Sequence, residues 1–210
     1  MKISQCCISV CAIFVLLSGT VSAQQKRAGP ESLYPDPAKT PGATNPDIRQ
    51  DNIAKNICSK SWSTDEVRPS NSYTARLNQQ QMSDLALHGT TADYEEDHLI
   101  SLENGGCPKC PENLWPQPYG DLHHHMTQSQ RSAWDKSHPS SQKVLPGALQ
   151  KDKVESFIHD EICHAVPNAR LNSSRQNPAT ISITLHRGQE ILSTDWYMCY
   201  LKMMHHMPCR

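Results

Sequence analysis

The sequence has few of the features that would place a protein in a class at once. After its first 23 residues it has no apolar run near the roughly 20 residues that cross a bilayer, so we expect no membrane span there. It has only two Phe but 15 Pro, so it can bury one modest core. This composition predicts a single domain with long irregular segments.

Excess positive charge is lacking as well. The formal net charge is −1, and loss of Lys2 with the amino-terminal segment would make the chain more negative. Proteins that bind nucleic acid usually carry a basic surface, so the charge argues against that class. The argument weakens in acid, because all 11 His lie after residue 23 and are protonated below about pH 6.5.

The first 23 residues have the pattern of an export signal. Lys2 precedes a short apolar run over residues 6–17, and the small residues over 18–23 are typical of a cleavage site. We therefore expect residues 1–23 to be a signal peptide and the mature chain to be secreted or periplasmic, without a membrane anchor. Six of the nine Cys remain in the mature chain, and this even number predicts disulfides whose pairing stays open.

The rest of the chain divides by composition and apolar spacing. Residues 24–45 predict a flexible leader, and residues 205–210 form a tail. Residues 46–204 predict one domain with loop insertions near 117–150 and 167–188. Within it, the spacing predicts helices over 47–57, 72–86, 151–164 and 190–204, a strand over 181–185, and a loop or edge strand over 62–69.

One stretch combines residues that are suited to catalysis. Asp97-His98 is followed by a short apolar strand over residues 99–102, by the Gly105-Gly106 turn and by Asn113, so the motif is predicted to lie on a hairpin. A carboxylate, an imidazole and an amide thus fall within 17 residues. Metal-assisted attack on a phosphodiester requires this combination, so the motif predicts a nuclease.

The chain resembles a family of small exported bacterial proteins related to HNH endonucleases, from about residue 42 to residue 201. The resemblance implies an α+β fold in which an HNH-like ββα-metal hairpin and helix clamp one divalent ion (Mg, Mn or Zn). Flanking helices, long loops and disulfides would complete the fold. The residues that carry the resemblance are Asn45-Pro46, Asn52-Ile53, Ile57-Cys58, Val67-Arg68-Pro69, Ser72-Tyr73-Thr74, the run 94–100, Leu102-Glu103, Gly105-Gly106, Asn113-Leu114-Trp115-Pro116, the run 151–155, Cys163 and Thr194-Asp195-Trp196.

The resemblance also implies a disulfide pattern. The family commonly has one cysteine pair, at the positions of Cys58 and Cys163. Cys107 and Cys110 are close enough to share a zinc ion, but a structural zinc normally needs a second such pair, which this sequence lacks. Relatives usually lack both cysteines, so a local disulfide that braces the hairpin is favoured. The remaining two, Cys199 and Cys209, would then pair.

Three catalytic roles follow from the resemblance. His98 resembles the general base that deprotonates a water molecule. Asp97 resembles the carboxylate metal ligand, on the opposite side of the strand. Asn113 resembles the residue on the second arm of the hairpin that orients the His.

The last metal ligand has two candidate sources. Counting from Asn113 leads to the run 123–125, which begins with His123. The helix predicted over 151–164 offers Asp152, Glu155 and His159 on one face. The helix is favoured, because the resemblance resumes there and helices hold ligands more precisely than loops do.

Together these features predict a secreted, metal-dependent nuclease that acts on DNA or RNA, with nucleic acid as its one predicted partner. Lys151, Lys153 and Arg76 are predicted phosphate contacts. Glu95 and Glu96 are predicted to be solvated carboxylates. The alternative is a non-catalytic exported binding or structural protein that retains an HNH-like scaffold.

Overall fold

The computed structural model describes residues 34–87, 89–119, 147–171 and 182–209, and within them the protein is an α+β fold, as predicted. Residues 1–23, His123, most of the first predicted insertion and part of the second lie outside this part of the chain. No helix in the described ranges is long and apolar enough to cross a membrane. The helices are α1 (Asn71–Asp84), α2 (Ala148–Cys163), α3 (Leu185–Thr194) and α4 (Trp196–Met204), and the strands are β1 (Tyr94–His98) and β2 (Leu114–Pro118).

The two strands form the predicted antiparallel hairpin, with Asp97 opposite Trp115 and His98 opposite Leu114. The strand begins earlier than predicted, because β1 is Tyr94–His98, and the predicted strand over 99–102 is wrong. The connection turns at two glycines. Gly105 has a φ of 76°, and a Cβ on Gly106 would lie 1.8 Å from the carbonyl oxygen of Ile100. Only glycine fits this close approach.

Helix α2 has two buried stripes, each with the helical spacing of four residues. Val154, Ile158 and Ile162 enter the main apolar core, which they share with α3 and α4. Gly188 of α3 allows close packing there, since a Cβ at this position would lie 2.6 Å from Ile162. The second stripe begins with Lys151 and faces the hairpin. The helix thus joins the core to the predicted site.

Three disulfides brace the fold, and all three predicted pairs are confirmed. The first joins the loop before α1 to the end of α2 and spans 105 residues. Such a set of disulfides indicates folding in an oxidising environment. The pairs are Cys58–Cys163, Cys107–Cys110 and Cys199–Cys209.

Helices predicted over 72–86 and 151–164 are confirmed with small shifts of their ends, as α1 and α2. The helix predicted over 47–57 is wrong, because only the short 3-10 turn Ile53–Lys55 forms there. Its asparagines explain the difference. The amide oxygen of Asn52 accepts from the backbone N–H of Arg49, and that of Asn56 accepts from its neighbour Ile57, so side chains replace helical backbone bonds.

Two predictions near the carboxyl end are also corrected. Ser182–Thr184 form no strand, since the side chain of Thr184 accepts from the N–H of Arg187 and caps α3, which begins at Leu185. The predicted helix over 190–204 is two helices. Asp195 has a φ of −146°, which is not helical, and it separates α3 from α4.

Candidate functional site

His98 is the last residue of β1, and a backbone carbonyl fixes its ring. Its Nε2 lies 2.9 Å from the carbonyl oxygen of Pro108. A carbonyl oxygen only accepts hydrogen bonds, so Nε2 carries the proton. In the neutral ring Nδ1 is then the unprotonated nitrogen, and no described residue donates a hydrogen bond to it. This tautomer gives His98 a defined basic atom.

The protonation state of His98 also suits a base. Burial lowers the pKa of His98 below its ordinary value and outweighs the opposing effects of the Pro108 carbonyl and of Asp97. The imidazole is therefore neutral at neutral pH. A neutral imidazole can accept a proton from water, whereas an imidazolium cannot.

His98 lines a cavity of about 560 Å³ between α1 and β1. The inner wall includes Asn78, whose side-chain oxygen is buried without a hydrogen-bond partner. Most of the lining residues are polar, which suits a charged ligand. The residues relevant to function here are Arg68, Asn71, Asn78, Glu95, His98 and Tyr119.

Asn113 holds the hairpin loop rather than the His98 ring. Its side-chain oxygen accepts from the N–H of Ile100 at 3.0 Å, and its Nδ2 donates to the carbonyl oxygens of Ile100 and Cys107. Pro108, which orients His98, follows Cys107 directly. Asn113 therefore acts on His98 through the loop, and it is completely buried.

Two of the three carboxylates predicted to hold a metal, Asp97 and Glu155, are joined by a lysine. The Nζ of Lys151 lies 2.8 Å from Oδ2 of Asp97 and also donates to Oε1 of Glu155. Burial opposes the charge on Lys151, but the two carboxylates outweigh it and raise the pKa of Lys151. The side chain is fully buried, so the prediction that Lys151 contacts phosphate is wrong.

The residues present do not fit the divalent ion that the HNH resemblance implies. One oxygen atom of each of Asp97 and Glu155 already accepts from the Lys151 ammonium, and this positive charge lies between the two carboxylates. Within the described ranges, no group of three His, Cys, Asp or Glu side chains could hold a metal. No catalytic step is therefore assigned to a metal ion here.

The other predicted ligands are spread out. Nε2 of His159 lies 2.9 Å from the carbonyl oxygen of Ile57, one helical turn beyond Glu155. Asp152 is exposed as a residue on α2, but neighbouring protein atoms partly desolvate its carboxyl, and this desolvation, with the charge of Asp97, raises its pKa to about 6. His123 lies outside the described residues. Among the described candidates, Asp97 and Glu155 are joined directly through Lys151, and Asp152 lies near enough for the charge of Asp97 to act on it.

The carboxyl groups of Glu95 and Glu96 on β1 were predicted to be solvated, but they are largely desolvated. Burial, with the charge of Asp97, raises the pKa of Glu95 to about 7 and that of Glu96 to about 8. Both carboxyl oxygens of Glu96 are buried without a hydrogen-bond partner, whereas the charge of Arg68 acts on Glu95. Near neutral pH a substantial fraction of both groups is protonated. The cavity therefore combines a neutral base with protonated carboxyls.

Arg68 is a site residue that the sequence prediction missed. It is exposed, lines the cavity, and its charge acts on His98, Glu95 and Asp152. The sequence feature that could have identified Arg68 is its position in Val67-Arg68-Pro69, a segment that carries the resemblance. The two other predicted phosphate contacts, Arg76 on α1 and Lys153 on α2, are exposed but are not part of the cavity wall.

Comparison of the chain with known protein families, with curated proteins and with solved structures finds no significant match. The resemblance to HNH endonucleases therefore stays a prediction.

Proposed function

We propose that this protein is an exported nuclease that hydrolyses phosphodiester bonds of DNA or RNA on an HNH-like hairpin and helix. The tautomer of His98 is the observation that carries the proposal. Its Nε2–H donates to Pro108, its pKa is low, and the ring borders a polar cavity. Nδ1 is thereby available to accept a proton.

The mechanism uses residues of the cavity. Nδ1 of His98 accepts the proton of a water molecule, whose oxygen attacks the phosphorus. Arg68 binds the non-bridging phosphate oxygens and offsets the charge that develops on them. Glu95 supplies the proton that the leaving oxygen needs, because its pKa of about 7 keeps part of it protonated at neutral pH. Each role belongs to a residue of the same cavity wall.

A direct test is incubation of the purified, oxidised protein with plasmid DNA and with a structured RNA, followed by gel electrophoresis. We expect cleavage of at least one of them with little sequence preference. A preparation with all three disulfides intact that leaves both nucleic acids whole would contradict the proposal.

Arg68→Ala is expected to weaken nucleic-acid binding about tenfold and to reduce the slope of log affinity against log salt by about one, because one phosphate contact is lost. Fluorescence anisotropy with a labelled oligonucleotide at several salt concentrations measures both effects. Arg49→Ala is the control, since Arg49 is also exposed, lies outside the cavity wall and is not a predicted phosphate contact. Equal losses of nucleic-acid affinity in the two variants would show that Arg68 makes no specific phosphate contact.

The pH dependence of cleavage should be bell-shaped. Activity rises with pH as His98 loses its proton below its ordinary pKa of 6.5, and it falls above about pH 7 as Glu95 ionises. Glu95→Gln removes the proton donor, so we expect kcat to fall about a hundredfold and the alkaline limb to disappear. Steady-state rates across the pH range measure this.

The control for Glu95→Gln is Glu112→Gln, at an exposed position of the hairpin connection. It should keep both limbs and the normal kcat. An unchanged alkaline limb in Glu95→Gln would show that another group donates the proton.

Two observations favour the alternative, a non-catalytic protein on the same scaffold. Lys151 satisfies Asp97 and Glu155 internally, and the His98 side chain is largely buried. Both features would stabilise the fold even in a protein without catalytic activity. Binding of nucleic acid without cleavage, unaffected by His98→Ala, is the result that would select this alternative.

A further inference from the structure

The ammonium of Lys151 lies at the centre of the predicted metal site. It donates to Oδ2 of Asp97 at 2.8 Å, to the backbone carbonyl oxygen of His98 at 2.7 Å, and to Oε1 of Glu155. An ammonium group has three donors, and here each has an acceptor. The side chain is 0% exposed, and the carboxylates of Asp97 and Glu155 are 14% and 11% exposed.

The acceptors of the Lys151 ammonium come from two separate parts of the chain. Glu155 is one helical turn along α2, at the i,i+4 spacing that brings side chains together. Asp97 and His98 form the end of β1, 54 and 53 residues earlier in the chain. Lys151 therefore ties α2 to the end of the strand that carries the proposed base.

A divalent ion and this ammonium compete for the same atoms. A hard cation needs several oxygen ligands at about 2.0–2.6 Å, and it would lie next to a buried positive charge. Burying Lys151 is itself unfavourable unless the charge is paired, and both carboxylates provide the pairing. To admit a metal, the site would have to expel Lys151 and leave its charge without these partners.

We propose that Lys151 is the resident cation of this site, a positioning residue that occupies the place between Asp97 and Glu155 where the resemblance implies a divalent metal ion. The protein then needs no divalent ion to hold the end of β1 and the backbone of His98 in place. The inference rests on the proposed function only in regarding His98 as the reacting group. Its test does not require activity.

The test measures thermal unfolding and Mn²⁺ binding of the full chain. For the wild-type protein we expect the same melting temperature with chelator, Mg²⁺ or Mn²⁺, and no Mn²⁺ binding at this site by calorimetry. Lys151→Met removes the ammonium and leaves two buried carboxylates close together. Its melting temperature should fall by on the order of 10 °C, and Mn²⁺ at saturation should restore about 5 °C.

Lys153→Met is the matched control, since Lys153 is exposed on the same helix. It should melt like the wild-type protein and show no response to Mn²⁺. The gain of metal binding in Lys151→Met is decisive, because a lysine that only stabilises the fold would not confer it. Lys151→Met that melts like the wild type, or that gains no response to Mn²⁺, would overturn the inference.

If Lys151→Met does not fold, the wild-type measurement still decides. Mn²⁺ binding to the wild-type protein that Asp97→Asn abolishes would overturn the inference, and absence of such binding would support it. A protein that cleaves no nucleic acid, yet shows the expected melting and binding, would refute the proposed function and leave the assignment of Lys151 intact.

Discussion

Replacing His98 with alanine is expected to lower the rate of nucleic-acid cleavage about a thousandfold, because no other neutral imidazole borders the described cavity. The fold should survive, since the backbone carbonyl of His98 that accepts from Lys151 is retained. The loss should therefore fall on kcat while nucleic-acid binding stays near normal. Single-turnover cleavage and anisotropy measure the two quantities separately.

The control for His98→Ala is His186→Ala, on the exposed side of α3. This variant should cleave at the wild-type rate. If His98→Ala cleaves nucleic acid as fast as His186→Ala, then His98 is not the general base and the proposed mechanism is wrong. A parallel fall in the melting temperature would instead indicate that His98 acts through the fold.

Removing the disulfide Cys58–Cys163 by alanine at both positions is expected to lower the free energy of unfolding by about 4–5 kcal/mol. The bridge spans 105 residues, and a cross-link over so long a loop strongly restricts the unfolded chain. It also joins the loop before α1 to α2, so its loss loosens the support of the hairpin. Denaturant unfolding of the oxidised proteins measures the difference.

The double alanine variant of Cys199 and Cys209 is the comparison. This bridge spans 10 residues, so the same argument gives a loss of only about 2–3 kcal/mol. Equal losses in the two variants would show that loop length does not govern the contribution of these disulfides.

The parts of the fold that depend on local patterns could be predicted from the sequence. Val154, Ile158 and Ile162 recur at helical spacing, and this pattern predicted α2 to within a few residues. The Gly105-Gly106 turn likewise predicted the hairpin. The helix over 47–57 failed because side-chain bonds of the asparagines outweigh a weak apolar pattern.

The centre of the site could not be predicted in this way. Lysine side chains are usually exposed, so Lys151, as a basic residue, was predicted to contact phosphate. Its burial depends on Asp97, 54 residues away, and a single sequence gives no sign of that contact. The tautomer of His98 depends on the backbone carbonyl of Pro108, a group whose position no side-chain motif specifies.

Cleavage of a DNA oligonucleotide in water enriched in the heavy oxygen isotope tests the central claim most directly, because DNA has no 2′-hydroxyl and water must then be the nucleophile. We predict that the wild-type protein, with chelator present, places one heavy oxygen atom on the new terminal phosphate formed at each cut, that the other fragment ends in an unlabelled hydroxyl, and that His98→Ala yields no such labelled product. Absence of cleavage of both this oligonucleotide and a structured RNA by the wild-type protein, or the same labelled products from His98→Ala, would contradict the account.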